Sequence, residues 1–415
     1  MERYKEYKKS VVPGMKEIPA HWKEILNGIL FRENVRKPNE NDIPLSLSQK
    51  DGLIPTDLMK ESSLKTSTYD NWKKVHKHDL VLNRFKAHLG VLMASDYEGM
   101  VSFHYGVYEP QLPLLTKYYE LLYHTDIYRG IYAYSSNGMT VGLQNLSNIV
   151  FYSIKGIYPP LAEQEKIVSY LEDKTSKIDA YVADKEKEIE LLQELKQKTI
   201  ADAVTKGLNP DAKMKDSGIA WIGEIPEHWE VKKIGSLFVE RREKVSDKEY
   251  PALSVSKQGI TPQLDTAVKT DNGDNRKKVC KNDFVVNSRS DRKGSCGVSP
   301  YTGSVSLINI VLSPRKNIEV QYFHNLFRSN NYIEEYYRIG RGIVADLWTT
   351  RYSEMRNIFV PLPPKDEQQA IVSYIEEKCQ KIDKLASELQ SEIDCLKEYK
   401  QRLIADCVTG QVKVS

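Results

Sequence analysis

Little in this 415-residue chain points to chemistry of its own. It has no run of 18 or more apolar residues, and its first residues (Met1, Glu2, Arg3, Tyr4, Lys5) carry no apolar signal core. Neither a membrane-spanning nor a secreted protein is expected. Cysteine is scarce: Cys280, Cys296, Cys379, Cys395 and Cys407 form no CxxC pair and make an odd set. That excludes a structural zinc site and a disulfide framework, and suits reduced thiols in a cytoplasmic protein. There is no GxxxxGK[ST] phosphate loop and no GxGxxG between strand and helix. The eight histidines form no HExxH, and His76, His78, His88 and His104 are spaced as loop or surface residues. Net charge is only +3, so bulk charge announces no polyanionic partner. No catalytic residue and no metal site is assigned; a nuclease built from Asp, Glu and Lys is the one catalytic reading left open. With 40% hydrophobic and 28% charged residues the chain can build packed cores, and its length suggests two to three domains.

What is present is a tandem repeat. Glu17-Ile18-Pro19-Ala20-His21-Trp22 returns 207 residues later as Glu224-Ile225-Pro226-Glu227-His228-Trp229. Pro159-Pro160-Leu161-Ala162-Glu163-Gln164 returns at an offset of 204 as Pro363-Pro364-Lys365-Asp366-Glu367-Gln368. The second echo continues through Ile167–Tyr170 and Ile371–Tyr374 to Val204-Thr205 and Val408-Thr409. Between these anchors the copies agree in pattern rather than in letters. Asp79–Asn83 pairs with Asp283–Asn287, Gly90 with Gly294, Gly99 with Gly303 and Gly138 with Gly342. Two copies share a scaffold and differ in what it presents.

Short β-branched and aromatic runs between Gly, Pro and Asp read as strands over 43–55 and 78–112. An amphipathic helix is expected over 114–133, with its counterpart at 318–337. Each globular part is therefore α+β. The segment after each Pro-Pro is different: a helix start followed by apolar steps of three and four. In copy two the stripe is Ile371, Ile375, Lys378, Ile382, Leu385, Leu389, Ile393, Leu396, Tyr399 and Leu403. In copy one it is Ile167, Leu171, Lys174, Ile178, Tyr181, Lys185, Ile189, Leu192, Leu195 and Thr199. Such helices either lie on their own globular domains or pack on each other. Equivalent exits make the second arrangement an antiparallel coiled coil, a rod of roughly 60 Å between two globular ends related by a pseudo-twofold. The expected boundaries are 1–157, 158–207, 208–361 and 362–415.

Charge follows the same division. Residues 1–157 and 208–361 carry +3 and +5, and the helical segments 158–207 and 362–415 carry −3 and −2. The globular parts suit a polyanion and the helices do not. Around the matched strands the candidates for reading double-stranded DNA are Lys73, Lys74, Lys77, Asn83, Arg84, Lys86 and His88 in copy one. In copy two they are Arg276, Lys277, Lys278, Asn287, Ser288, Arg289, Arg292 and Lys293. Arginine fits guanine in a bidentate fork, lysine more often anchors phosphate, and Asn or Ser can bond base edges. Asn83 and Asn287 match across the copies, so a strand-ending turn explains them equally well. The 25 tyrosines are numerous, and Tyr69, Tyr97 and Tyr105 are considered for packing on sugars or bases.

This organisation resembles the specificity (S) subunit of a type I restriction–modification system. The resemblance rests on the doubled Glu-Ile-Pro-x-His-Trp, the doubled Pro-Pro-x-x-Glu-Gln, the doubled helix and two divergent domains between them. It implies two target recognition domains, each reading half of a split DNA sequence, with the helices setting the spacer. It implies a non-catalytic chain that binds no cofactor itself. Two modification subunits would dock on it and methylate adenine N6 from S-adenosylmethionine, and restriction subunits would join them for ATP- and Mg-dependent translocation and cleavage. The competing reading is a two-headed coiled-coil scaffold with no DNA specificity.

Overall fold

In the computed structural model the chain divides into two compact units, residues 1–185 with 391–415, and residues 186–390. The structure describes residues 2–49, 52–59, 69, 71–136, 145–263, 273–315, 317–342 and 348–414; Gly138 of the repeat lies outside them. Both units are α+β and are built alike. In the first, a four-stranded antiparallel sheet has the order Phe31–Glu33, Tyr105–Pro110, Leu80–Asn83, Leu92–Ala94. In the second the order is Phe238–Glu240, Asn309–Pro314, Phe284–Asn287, Cys296–Val298. The unbroken apolar letters of the central strands reflect burial on both faces. Leu80 and Leu82 enter the main core with Phe31 and Tyr119, while Val81 joins a smaller core with Leu45, Val75 and Val101. Phe284 and Val286 part from Val285 in the same way. A strand covered on both sides has no polar alternation to show. At Gly99 and Gly303 a Cβ would lie 2.4 Å from the Ile43 carbonyl oxygen and 2.5 Å from that of Pro251, so the matched glycines mark a close backbone approach.

The helix expected over 114–133 is two helices, Thr116–Tyr123 and Asp126–Ser135; its counterpart is Val320–Phe327 and Asn330–Arg338. Thr125 Oγ1 donates to the Leu122 carbonyl and Ser329 Oγ to that of Leu326, each at 2.7 Å. A hydroxyl that takes a carbonyl of the preceding turn competes with helix propagation. The tyrosine excess is largely core. Tyr118, Tyr119, Tyr123, Tyr128 and Tyr132 are fully buried and pack as tilted and edge-on rings. Tyr69 and Tyr97 are exposed and Tyr105 is half-buried.

The doubled motifs meet each other. Trp22 and Trp229 are fully buried, and each indole Nε1 donates to a carboxylate of the Pro-Pro motif, Glu163 or Glu367, at 3.0 Å. His21 and His228 reach the same two carboxylates. Burial pushes the Glu163 carboxyl up, but hydrogen bonds from Trp22, His21 and Tyr4 outweigh it and hold the group below the usual range. The adjoining glutamines are buried. Gln164 accepts from Leu115 N at 2.9 Å and donates to the Pro159 carbonyl at 2.9 Å. Gln368 repeats this with Glu319 N and Pro363 O at 2.8 Å each. The two motifs are therefore halves of one latch that pins the start of each long helix to its own domain.

The long helices are Leu161–Lys206 and Lys365–Val408. Their far ends are held by the other copy's domain. In the first unit Tyr118 Oη donates to Val408 O at 2.7 Å, and in the second Tyr322 Oη donates to Val204 O at 2.8 Å. Each helix stops at a left-handed glycine, Gly207 (φ +75°) and Gly410 (φ +73°). Within each unit the helices run antiparallel. Lys400 meets Asp179 at 2.6 Å and Lys185 meets Glu392 at 3.8 Å in the first; Lys196 meets Asp383 at 2.6 Å in the second. The expected seam is corrected at several positions. Tyr181, Leu195, Lys378, Leu385 and Tyr399 are exposed, and Val182, Lys196, Cys379, Ala386 and Lys400 take the inward places. The inward stripe Leu171, Thr175, Ile178, Val182, Lys185, Ile189, Leu192, Lys196, Thr199, Ala203 alternates steps of four and three throughout. Adding 204 gives the stripe of the second helix. Small and lysine side chains occupy several seam places, so choosing the apolar neighbour slips the register by one residue.

One substitution between the copies carries a pH dependence. Glu120 accepts from Ala94 N at 2.8 Å, and its counterpart His324 accepts from Val298 N through Nδ1 at 3.1 Å. Burial, helped by the Arg328 cation, pushes the His324 imidazole down to about 4 from its ordinary 6.5. The unfolded chain then binds the proton more readily than the folded one. Stability from the neutral imidazole is complete above about pH 6.5 and is lost as the pH falls towards 4. The second unit is expected to lose about 3 kcal/mol across that window. His324→Asn should flatten the slope, measured as the thermal midpoint of the full chain against pH; an unchanged slope would refute the assignment.

Candidate nucleic-acid interface

In each unit the central strand ends in the same turn. The Asn83 side-chain oxygen accepts from Phe85 N at 3.1 Å, and that of Asn287 accepts from Arg289 N at 3.1 Å. Both asparagines thus hold the turn that displays the residues after them. A later segment packs against each turn: Leu146 N donates to Arg84 O at 3.0 Å, and Thr350 N to Ser288 O at 3.0 Å.

The charged candidates divide by direction. Lys73 is 7% exposed; its Nζ donates to Glu33 at 2.7 Å and to the Tyr105 carbonyl at 2.8 Å. Lys277 copies this, with Asn309 O at 2.7 Å and Glu240 at 3.6 Å. The pair is a scaffold contact present in both units. Lys74 turns to Asp42 at 3.3 Å, and Lys278 to Glu243 at 2.9 Å beneath the Tyr250 ring. Arg84 joins Lys73 on Glu33. Arg276 is buried, its Nε donating to Ser304 Oγ at 2.9 Å, and the buried Ser288 donates to Ile308 O at 2.6 Å. Lys73, Lys277, Lys74 and Arg84 face inward onto poorly exposed acids, and Arg276 and Ser288 are buried on polar atoms of the β-sheet units, whereas Lys278 pairs with the exposed Glu243 at the surface.

Lys77, Lys86, Arg289, Arg292 and Lys293 face outward or lie at the rim, and His88 is half-buried. Arg289 and Arg292 share Asp291, at 2.9 and 3.7 Å, and Lys293 contacts Glu334. Asp291 engages Arg289 through the guanidinium Nε, and the Arg289 side chain is 43% exposed. Surface pairs of this kind contribute only about 0–1 kcal/mol, so these side chains can re-pair with a ligand cheaply. Among the described residues no group of three or more His, Cys, Asp and Glu is placed to hold a metal ion. No helix among them is long and apolar enough to cross a membrane. All five cysteines are free.

The family model for the type I restriction modification DNA specificity domain matches residues 25–191 and again 226–394, once for each repeat. The chain belongs to this family. It is 27% identical over 270 residues to the MjaX specificity subunit of a Methanocaldococcus jannaschii type I restriction enzyme, covering 62% of this chain and 59% of that one. It is 23% identical over 308 residues to the EcoBI specificity subunit of Escherichia coli, covering 68% and 63%. The chain thus spans about three fifths of the length of the curated relatives it matches. A chain from a structure of complex assembly and conformational transition of the type I R-M system superposes with a TM-score of 0.70 at 15% identity, over 95% of this chain and 99% of that one. That likeness concerns the fold.

Several outward residues of the specificity domains escaped the sequence reading. Arg341 pairs through its backbone with Thr349 at 3.1 and 3.0 Å, and Thr349 also bridges to Arg289. This brings Arg341, the exposed Trp348 and Arg351 to the Arg289 turn. They lie about 50 to 60 residues away in the chain, and only an exposed Trp between basic residues could have hinted at them. In the first specificity domain Phe85, Phe103 and His104 cluster at the corresponding turn. A search for basic residues passes over them.

Proposed function

We propose that the chain is the sequence-specific DNA-binding subunit of a type I restriction–modification complex, residues 1–157 and 208–361 each reading one half of a split target. The observation that carries this reading is the repetition of one turn in two units with different outward side chains. The buried contacts Lys73–Glu33 and Lys277–Glu240 are kept; what stands beyond the turn is Phe85 and Lys86 in one copy and Arg289 in the other. A scaffold conserved inside and varied at one exposed tip is what reading two unrelated half-sites requires. The long helices 158–207 and 362–415 set the spacer.

The chain has no catalytic role in this reading. Two modification subunits dock on it and methylate adenine N6 using S-adenosylmethionine, extruding the base from the stack. Restriction subunits supply the ATP- and Mg-dependent steps. The complex is cytoplasmic. Large apolar side chains left outward on the helices support such docking: Tyr181 and Tyr399 at 45% and 50% exposure in one unit, Leu195 and Leu385 at 50% and 42% in the other. Each correctly read base pair contributes roughly 1–3 kcal/mol of discrimination.

The test is genome-wide mapping of N6-methyladenine with and without the gene. The expected result is a gene-dependent motif of two short half-sites around a fixed gap. An unchanged pattern in cells that express the modification subunits would refute the reading.

A further inference from the structure

The two tips differ in kind at one matched position of the same scaffold, Phe85 in the first and Arg289 in the second, while Phe103 is matched by Leu307, which is 40% exposed. In the first domain Phe85 and Phe103 are 40% and 50% exposed, and the His104 ring lies near both, with centroids 5.9 and 3.9 Å away. Phe85 and His104 border an open recess of about 310 Å³ whose other walls include Asn83, Lys86 and Ser102. In the second domain, 204 residues on, the matching positions are Arg289, Leu307 and Ile308. Arg289 is joined there by Arg292 and, through Thr349, by Arg341.

Large aromatic rings left in water gain by covering an apolar group. On the major-groove edge of a base pair that group is the thymine 5-methyl, whereas a guanidinium fork matches guanine O6 and N7. The alternative use of exposed rings, stacking on unpaired bases, requires a groove of basic residues along a single strand. Beside Phe85 and Phe103 the described basic residues are Lys86 and His104, and Arg84 is turned inward to Glu33.

We propose that the first domain reads its half-site chiefly through thymine methyl groups, with Phe85 and Phe103 as specificity-determining side chains, while the second reads guanine through Arg289. This rests on the DNA-recognition reading given above. The half-site of the first domain then holds A·T pairs at the contacted positions, and that of the second holds at least one G·C pair.

The experiment uses the full chain assembled with its modification subunits. Each half of the methylation motif is first assigned to a domain by whether Arg289→Ala with Arg292→Ala relaxes it. Duplexes carrying uracil for thymine in the other half, which lack only the methyl, are then compared with thymine duplexes. Wild type should bind them about fourfold more weakly per contacted methyl, the effect of uncovering one such group. Phe85→Ala with Phe103→Ala should bind both duplexes equally. Because both rings are exposed, the thermal midpoint should hold, and Phe85→Leu with Phe103→Leu, which retains apolar contact, should recover part of the discrimination. Equal binding of thymine and uracil duplexes by wild type would overturn the proposal and leave the DNA reading standing. The absence of any gene-dependent split motif would instead overturn that reading.

Discussion

Replacing Arg289 and Arg292 together with alanine is expected to relax one half of the split target and leave the other half unchanged. Both guanidinium groups are outward, and each contacts only Asp291 among the described ion pairs, at 2.9 and 3.7 Å. Their removal should therefore shift stability by less than about 1 kcal/mol. Against DNA the loss is larger, since one bidentate arginine–guanine contact carries roughly 1–3 kcal/mol of discrimination, or about 5- to 150-fold. The contrasting control is Lys73→Met. That side chain is buried on Glu33 beside Arg84, and removing one partner of a buried cluster should destabilise by about 3 kcal/mol. Methylation mapping and thermal midpoints separate the two. Relaxation of both half-sites by the arginine pair, or of neither, would sink the assignment of one reader to each copy.

Gln368→Leu is expected to loosen the second unit by about 2–6 kcal/mol and to leave the first unaffected. The side chain is 1% exposed and satisfies both Glu319 N and the Pro363 carbonyl at 2.8 Å. Leucine fills similar space but leaves a buried donor and a buried acceptor unpaired, each of which costs about 1–3 kcal/mol. The loss should concentrate where the latch joins the helix to the domain, because Ile371, Val372 and Ile375 share one core with Tyr322 and Phe323. Hydrogen exchange should show faster opening in peptides from 318–338 and 363–379. Peptides from 115–135 and 159–175, held by the intact Gln164, should keep their protection. Equal loss in both units, or a change below about 0.5 kcal/mol, would show that the glutamine is not the latch.

The same two experiments bear on what could be read from the letters. Gln368, Glu367, Trp229 and His228 stand out in the sequence as a repeat, because a doubled scaffold must keep both sides of each contact twice. Lys73 and Lys277 were visible as basic residues, but their direction was not. A lysine beside a strand looks the same in sequence whether it meets water or a buried Glu33 or Glu240, some 40 residues away in the chain. The helical seam shows a milder form of the problem. Its period was legible, yet Lys196 and Lys400 sit inward, each beside an aspartate, and polarity alone places Leu195 and Tyr399 there instead.

The sequence by itself determined the doubled α+β plan, the long helices after each Pro-Pro and the divergence of the domains between them. These are properties of spacing and repetition, and a spacing survives in one dimension. Only the tertiary structure decided which basic groups are scaffold and which are surface. Tertiary contact also brought Phe85 to Phe103 and Arg289 to Arg341, and gave the far end of each helix to the other copy's domain. Those outcomes depend on which side chains arrive at a shared place after folding. A buried acid, a two-faced sheet or a tyrosine reaching Val204 or Val408 is defined by partners distant in the chain.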